Sequence, residues 1–492
     1  RGWGARPNHR RGLDRAKHNR AVDQECRGEA GSSDPATCGR GSLEGEADAH
    51  GYEGMNSFAY IMLLAWIPVS VALFALMSAR RAALASLAVG WLALPVLEIP
   101  LPGLPDLDKP AAVSYGLILG VLLFDPNTLL RFRLKLPDLA MIAWMLSAAL
   151  SSIINESGLY DAFAQVWSQG VNWGVPYLIG RLYLNSREGI RDLLWTLFLS
   201  GLVYAPLALF EVRMSPQLHS IFYGQSQHMF GQTIRGGGFR PMVFMRHGLE
   251  LALWLAGATV AGACLWRSAG PRKIAGIPIG YLVAALAGTV LLCKSTGATL
   301  LCLTSLVLLA PTFARWPRRV LALMVPAFLV MRIAFNGVVE PAVIELASVI
   351  SADRAQSIAY RFGNEELLLQ SLWDQPLFGI GKKNFVNNVN PWTGEVRTAI
   401  PDSLWIITVV TTGLVGLVSM QALAWLPAAR AVTARAMRPE IVGAGLILLM
   451  MVIDNLVNAM RPAMFIAIAG GLACASHAKQ TATKSASRRV ST

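Results

Sequence analysis

Clustered cations are the first residues in this sequence that could do chemistry. Arg235 and Arg240 flank the glycines Gly236 and Gly237, and a histidine follows shortly after. Planar guanidinium groups bind phosphate oxygens through two parallel hydrogen bonds, and glycine lets backbone N–H groups approach the same oxygens. The pattern predicts a site for an anionic substrate. The residues we assign to it are Arg235, Arg240, His247, Glu250, Lys294, Arg361, Lys382, Lys383 and Asp402.

Each of these residues could instead have a purely structural role. Arginine and lysine at helix ends often extend to lipid headgroups without binding a substrate. His247 and Glu250 are three residues apart and could pair with each other on one helix face. Asp402 follows Pro401 and opens a long apolar run, so it could cap a helix or accept a proton during catalysis.

Motifs for nucleotides and metals are missing from the sequence. It contains no GxxxxGK[ST], no HExxH and no Cys/His cluster with metal spacing. Gly379 and Gly381 lack the third glycine and the strand of a dinucleotide site. Asp106-Leu107-Asp108 resembles a metal–nucleotide motif but falls in a loop predicted to face away from the cytoplasm. We therefore predict no metal and no cofactor, and the missing phosphate-binding loop argues against an ATP-driven pump.

The composition is that of a membrane protein. Of 492 residues, 54% are hydrophobic and 15% are charged, whereas soluble domains have about 25% charged residues. This excludes an ordinary soluble enzyme and a disordered chain. The net charge of +13 is explained by lysine and arginine in cytoplasmic loops, without a nucleic acid partner. The cysteines read as packing residues.

Long uncharged runs predict an all-α, polytopic membrane protein with about 12 or 13 transmembrane helices. The uncharged runs are 56–79, 82–97, 110–124, 139–155, 193–210, 251–266, 274–293, 295–314, 403–429 and 462–478. Weaker candidates, which are apolar but contain a charged residue, are 167–184, 320–335 and 441–457. We expect residues 1–54 to be a polar segment outside the fold, 55–478 to be the membrane domain, and 479–492 to be a basic cytoplasmic tail.

Lysine and arginine predict the orientation of the chain. Basic residues fill one alternating set of short loops, including 131–135 and 315–319, which is typical of the cytoplasmic side. Two long loops, 211–246 and 336–402, then face the other side, and a helical stretch is expected at 343–373. Most of the assigned site residues lie in these loops or at their borders, so we predict that the site faces outward.

Several motifs resemble those of bacterial O-antigen ligases and O-antigen polymerases. The matching stretches are Tyr360-Arg361-Phe362, residues 372–381 (LWDQPLFGIG), Asn384-Phe385, residues 413–417 (GLVGL), the Arg235–Pro241 stretch and residues 294–298 (KSTGA). Together they cover about residues 190–425. Two positions depart from the family: Thr296 stands where members often have arginine, and Asp402 stands about where ligases have histidine.

The resemblance implies a metal-independent glycosyltransferase in the bacterial inner membrane with its active face in the periplasm. Its donor would be a glycan on undecaprenyl pyrophosphate, and its acceptor a glycan, a lipid or a protein. Arg361, Arg240, Arg235 and Lys294 would hold the pyrophosphate, and Asp402 would be the base. The alternative is a transporter or flippase for an anionic or lipid-linked substrate, which would use the same cations but need no base.

Overall fold

The computed structural model describes residues 54–228, 230–268, 271–310, 315–335, 337–350, 352–381, 388–389, 396–397, 401–434 and 438–474. Most of the polar segment expected at 1–54, the basic tail expected at 479–492, and the site candidates Lys382 and Lys383 lie outside the described residues.

Helices dominate the described chain. In order they are α1 (Ser57–Leu76), α2 (Ala79–Ala93), α3 (Lys109–Phe124), α4 (Pro126–Leu130), α5 (Leu136–Ile154), α6 (Leu159–Gln169), α7 (Val175–Tyr183), α8 (Arg187–Met214), α9 (Leu218–Tyr223), α10 (Phe230–Thr233), α11 (Gly248–Arg267), α12 (Ile279–Leu292), α13 (Thr296–Leu309), α14 (Arg315–Ala334), α15 (Val339–Ile350), α16 (Ala352–Leu372), α17 (Leu404–Thr433), α18 (Pro439–Asp454) and α19 (Ala463–Cys474).

Within the described ranges, the strands are short and form four separate antiparallel hairpins. They are β1 (Glu98–Leu101) with β2 (Leu104–Asp108), β3 (Ile234–Arg235) with β4 (Gly238–Phe239), β5 (Lys273–Ile274) with β6 (Ile277–Pro278), and β7 (Asn388–Val389) with β8 (Val396–Arg397).

The predicted all-α, polytopic membrane architecture is confirmed. Each uncharged run identified in the sequence overlaps a helix. In the described chain, α1, α5, α8, α11 and α17 are long and apolar enough to cross a membrane, and α3, α12, α13 and α19 are shorter apolar helices. The weak run 167–184 differs from a simple span, because the π-helix Gly170–Gly174 joins α6 to α7.

Helix α11 lies at the centre of the bundle, and 94% of the residues in its most apolar 18-residue stretch are buried. Small residues explain how its neighbours come so close. A side chain at Gly262 would overlap the ring of Phe198 on α8, and one at Gly257 would overlap Phe465 on α19. Close approach at small residues is the usual basis of helix packing in membranes. The first residue of this central helix follows His247, so the core holds one edge of the candidate site.

A kink in α17 holds the loop that precedes it. Gly413 has φ of +68°, and a Cβ there would lie 2.2 Å from the carbonyl oxygen of Leu377. The freed amides of α17 bond to the loop instead: Leu414 N donates to Pro376 O at 2.9 Å and Val415 N to Leu377 O at 3.2 Å. Gly379, with φ of +69°, contacts the same kink. These glycines therefore dock the loop onto the helix that begins after Asp402.

Candidate functional site

The β3–β4 hairpin presents the first arginine of the site. Gly236 and Gly237 form its two-residue turn with φ of +50° and +71°, a geometry that favours glycine. Lys294 Nζ donates to the carbonyl oxygens of Arg235 at 3.0 Å and Gly236 at 3.1 Å. A Cβ on Gly238 would lie 2.4 Å from that nitrogen. Lys294 thus fixes the hairpin while placing its charge beside Arg235.

Arg240 is buried between this hairpin and the start of α11. Its backbone N donates to Thr233 O at 2.8 Å, and its Nη2 donates to Lys294 O at 3.2 Å. Its aliphatic chain covers Gly248, where a Cβ would lie 2.6 Å from Arg240 Cγ. Only 7% of the residue is exposed. The guanidinium is therefore held in place rather than extended freely toward lipid.

His247 is the residue around which the two long loops meet. It caps α11, its Nδ1 accepting a hydrogen bond from Leu249 N at 3.0 Å. Burial, together with the nearby charges of His228, Arg240, Arg361 and Arg235, lowers the pKa of His247 to about 4. These arginines therefore lie within electrostatic reach of one imidazole. We call Arg235, Arg240, Lys294 and Arg361 the cation cluster.

Arg361, on α16, connects three parts of the chain. Its Nε is 3.2 Å from Asp402 Oδ2, and its Nη1 donates to Val457 O at 2.5 Å and to Asn458 Oδ1 at 3.1 Å. The side chains of Arg361 and Asp402 are 27% and 40% exposed. Among the described residues, neither Nη2 of Arg361 nor Oδ1 of Asp402 has a hydrogen-bond partner. Both atoms are therefore available to a substrate.

The cap explanation of Asp402 is wrong. The N-cap of α17 is Ser403, and its hydroxyl donates to Glu365 rather than to the helix. Asp402 lies one residue earlier, in the connection between the loop and the helix, where its carboxylate faces Arg361. The pairing suggested for His247 and Glu250 is also wrong. His247 Nδ1 accepts a hydrogen bond from the first turn of α11, while Glu250 accepts one from Trp91 Nε1 at 3.0 Å.

A buried charge network lies behind Arg361 and was missed in the sequence. Arg332, on α14, pairs with Glu365 at 2.8 Å and with Glu340, and it stacks 4.6 Å from the centre of the Phe362 ring. Burial raises the pKa of Glu365, while hydrogen bonds from Ser403 and Arg332 favour its carboxylate. The available signal was an arginine inside an apolar run. The network fixes α16 and the start of α17 to α14.

Replacing Arg332 by methionine is expected to lower the free energy of unfolding by about 3–5 kcal/mol, because it leaves buried carboxylates without their partner. Arg332 is fully buried. Thermal unfolding of the purified protein in detergent measures the change. Arg319→Met, at an exposed position of the same helix, is the matched control. Equal melting temperatures for the two variants would contradict the network.

The stability of the protein is expected to depend on His247 below neutral pH. The unfolded histidine takes up a proton near pH 6.5, whereas the folded one remains neutral down to about pH 4. Stability therefore falls as the pH is lowered from 6.5 toward 4. Asparagine keeps a side-chain acceptor at the helix cap but does not titrate. Unfolding of His247→Asn across this range should show a smaller loss than wild type, and parallel curves would refute the assignment.

A cavity of about 710 Å³ adjoins the cation cluster through His247. Glu250 and His228 also line it. Its other charged and aromatic lining residues are Glu98, Asp106, Asp108, Lys109, Asp161, Arg246, Arg461, Trp91, Tyr115, Tyr160 and Trp167. Acidic and basic side chains between aromatic rings can accept and donate hydrogen bonds, so the cavity suits a hydroxyl-rich ligand better than a purely apolar one. Glu250 belongs to this cavity rather than to the cation cluster.

The structure brings most of the assigned residues together. Arg235, Arg240 and Arg361 lie within electrostatic reach of His247. Lys294 binds the backbone of Arg235, Asp402 pairs with Arg361, and Glu250 lies in the adjoining cavity. Asp108, from the discounted Asp-Leu-Asp motif, caps α3 by accepting from Ala111 N at 2.9 Å. Within the described ranges, no group of three or more His, Cys, Asp or Glu side chains could hold a metal ion.

Comparison with known proteins matches one segment of the chain to a family. Residues 281–420 match the family model described as O-antigen ligase. No curated protein matches the chain. The matched stretch runs from α12 through the kink of α17 and contains Lys294, Arg361 and Asp402, while the β3–β4 hairpin precedes it. The resemblance seen in the motifs is confirmed. The chain is thus a multi-pass helical membrane protein that carries an O-antigen ligase family domain, of the type that transfers glycans in cell-surface polysaccharide synthesis.

Proposed function

We propose that this protein transfers a glycan from undecaprenyl pyrophosphate to a hydroxyl group of a second glycan, a lipid or a protein. We place the reaction at the periplasmic face of the bacterial inner membrane. The observation that carries the proposal is the Arg361–Asp402 pair, in which Arg361, like Arg235 and Arg240, lies within electrostatic reach of His247. A cation site and a carboxylate in direct contact supply the two functions that such a transfer needs.

The cation cluster would stabilise the leaving group. During transfer the bond between the anomeric carbon and the pyrophosphate oxygen breaks, and its electron pair moves onto the pyrophosphate. Fixed positive groups stabilise this growing charge because they are already oriented before the reaction. Arg240 is held by Lys294 and by Gly248, and Arg361 by Asn458 and Val457, so little reorganisation is required.

Asp402 would act as the base. The acceptor hydroxyl oxygen forms the new bond to the anomeric carbon, and its proton passes to a carboxylate oxygen of Asp402. Oδ2 is held by Arg361, while Oδ1 has no partner among the described residues. One guanidinium therefore contacts the base and, through Nη2, can reach the leaving group. Because the base and the leaving group would contact the same arginine, proton transfer and departure of the pyrophosphate could occur in one concerted step.

A transferase can form its product in detergent micelles, whereas a transporter needs two compartments. The purified protein in micelles, incubated with an undecaprenyl-pyrophosphate-linked glycan and an acceptor glycan, should form a longer glycan even though no compartment exists. A flippase moves its substrate between leaflets and makes no new glycosidic bond in micelles. Product formation in micelles supports the proposal. Translocation in proteoliposomes with no product in micelles would favour the transporter.

The proposed orientation makes a separate prediction. Reporter fusions within 131–135 and 315–319 should report the cytoplasm, and fusions within 345–400 should report the periplasm, because the basic loops remain inside. Alkaline phosphatase and a cytoplasmic fluorescent protein, fused at the same positions, provide paired readings. A cytoplasmic reading from 345–400 would contradict the proposal, since Arg361 would then face the wrong compartment.

A further inference from the structure

A second cavity, of about 420 Å³, lies at the end of α17 remote from Asp402. It is bounded by the last turns of α17 and α19 and by the first turns of α5, α8 and α18. Its walls are mainly apolar, with side chains that include Leu136, Ala140, Leu426, Ile441 and Leu472. None of these residues belongs to the cation cluster or to the cavity next to it.

Three arginines line this cavity, but only one of them is neutralised. Arg187 Nη2 is 2.8 Å from Glu440 Oε1, and the Glu440 side chain is buried. Arg430 and Arg438 are exposed and form no ion pair or hydrogen bond within the described ranges. The lining therefore combines an apolar interior with two uncompensated guanidinium groups. Apolar ligands alone would not use these charges, and a small anion would not use the walls.

We propose that this cavity binds an anionic phospholipid. Its phosphate would bind Arg430 and Arg438, because guanidinium groups form paired hydrogen bonds with phosphate oxygens. An acyl chain would occupy the apolar walls, and burial of its methylene groups would favour binding. The complementarity of both charge and polarity selects an anionic lipid over a neutral lipid or a free anion. This inference does not depend on the reaction proposed above.

Native mass spectrometry of the full-length protein in detergent tests the site with defined lipids. Phosphatidylglycerol should bind at least fivefold more tightly than phosphatidylethanolamine with the same chains. Arg430→Gln/Arg438→Gln should weaken phosphatidylglycerol binding at least fivefold and leave phosphatidylethanolamine unchanged. Arg131→Gln/Arg319→Gln removes two exposed arginines outside the cavity and should have no effect. Equal loss in both pairs would overturn the proposal in favour of unspecific attraction.

A second variant tests the apolar part and leaves every charge in place. Ala422, which lines the cavity, becomes phenylalanine in Ala422→Phe, and the added ring should reduce phosphatidylglycerol binding at least threefold. Glycerophosphoglycerol and inorganic phosphate, which have no chains, should fail to displace the lipid at tenfold excess. Displacement by either would show a simple anion site. Equal binding of the two lipids to wild type would show an ordinary bilayer contact, and each of these results overturns the proposal.

Discussion

Arg361→Lys is expected to transfer glycan about 10²–10³-fold more slowly than wild type while accumulating normally in the membrane. The loss of one fixed donor to a developing negative charge has this magnitude. Arg361 uses Nε for Asp402 and Nη1 for Val457 and Asn458, which leaves Nη2 for the substrate. Lysine has a single nitrogen and cannot make these contacts together. Rates of product formation with a lipid-linked donor, normalised to protein level, measure the effect.

Arg240→Lys tests independently whether the cation cluster needs guanidinium groups, because Arg240 comes from a different loop than Arg361. Arg213→Lys changes an exposed arginine at the end of α8 and should retain wild-type activity. Near-normal rates in both Arg361→Lys and Arg240→Lys would show that a positive charge is sufficient. The two guanidinium groups would then act only through their charge, and the proposed paired contacts with pyrophosphate would be wrong.

Asp402→Asn is expected to transfer glycan at least tenfold more slowly. An amide cannot take the proton of the acceptor hydroxyl at neutral pH, and loss of a general base typically costs about 10²–10⁴ in rate. The smaller expectation reflects the leaving group, because pyrophosphate departs readily once its charge is stabilised. The protein should remain folded, since Asp402 does not cap α17 and its contact with Arg361 is half exposed.

Two further variants separate the base from a purely structural role. Asp402→Ala should be at least as slow as Asp402→Asn, because both remove the titratable group. Asp374→Asn changes another exposed carboxylate of the same loop and should leave the rate unaltered. Full activity in Asp402→Asn with loss only in Asp402→Ala would mean that a neutral hydrogen-bond acceptor suffices. Asp402 would then position Arg361 without accepting a proton.

The sequence predicted the parts of the fold that depend on local composition. The uncharged runs located the helices because a membrane span needs many consecutive apolar residues. The motif around Gly379 and Gly413 was recognised, although its physical role appeared only in the structure. These glycines allow a loop to bond inside the kink of α17, a contact between segments far apart in the chain.

Contacts between distant residues were the part that the sequence could not predict. Glu365 binds Arg332 and Ser403, and neither partner follows from the helical spacing of α16. Glu250 was placed beside His247 by their spacing, yet the side chain turns to Trp91 on α2. The partner of such a side chain depends on which helix packs beside it, and the composition of a segment does not determine that.

The assembly of the cation cluster lies between these cases. The sequence placed Arg240 and Arg361 in two long loops predicted to share one side, and we assigned both to one site without knowing which residues bring the loops together. The structure shows both arginines acting on the pKa of His247. Residues of both loops therefore lie within electrostatic reach of this histidine, which is held in place as the cap of α11.

The central claim is tested most directly by counting the leaving group. Purified protein in proteoliposomes is given an undecaprenyl-pyrophosphate-linked glycan and an acceptor, and both free undecaprenyl pyrophosphate and new glycosidic bonds are quantified. Wild type should release one undecaprenyl pyrophosphate for each bond formed, and Arg361→Lys should lose both products in parallel. Movement of the intact lipid-linked glycan across the bilayer, with no release of undecaprenyl pyrophosphate, would contradict glycan transfer at this site.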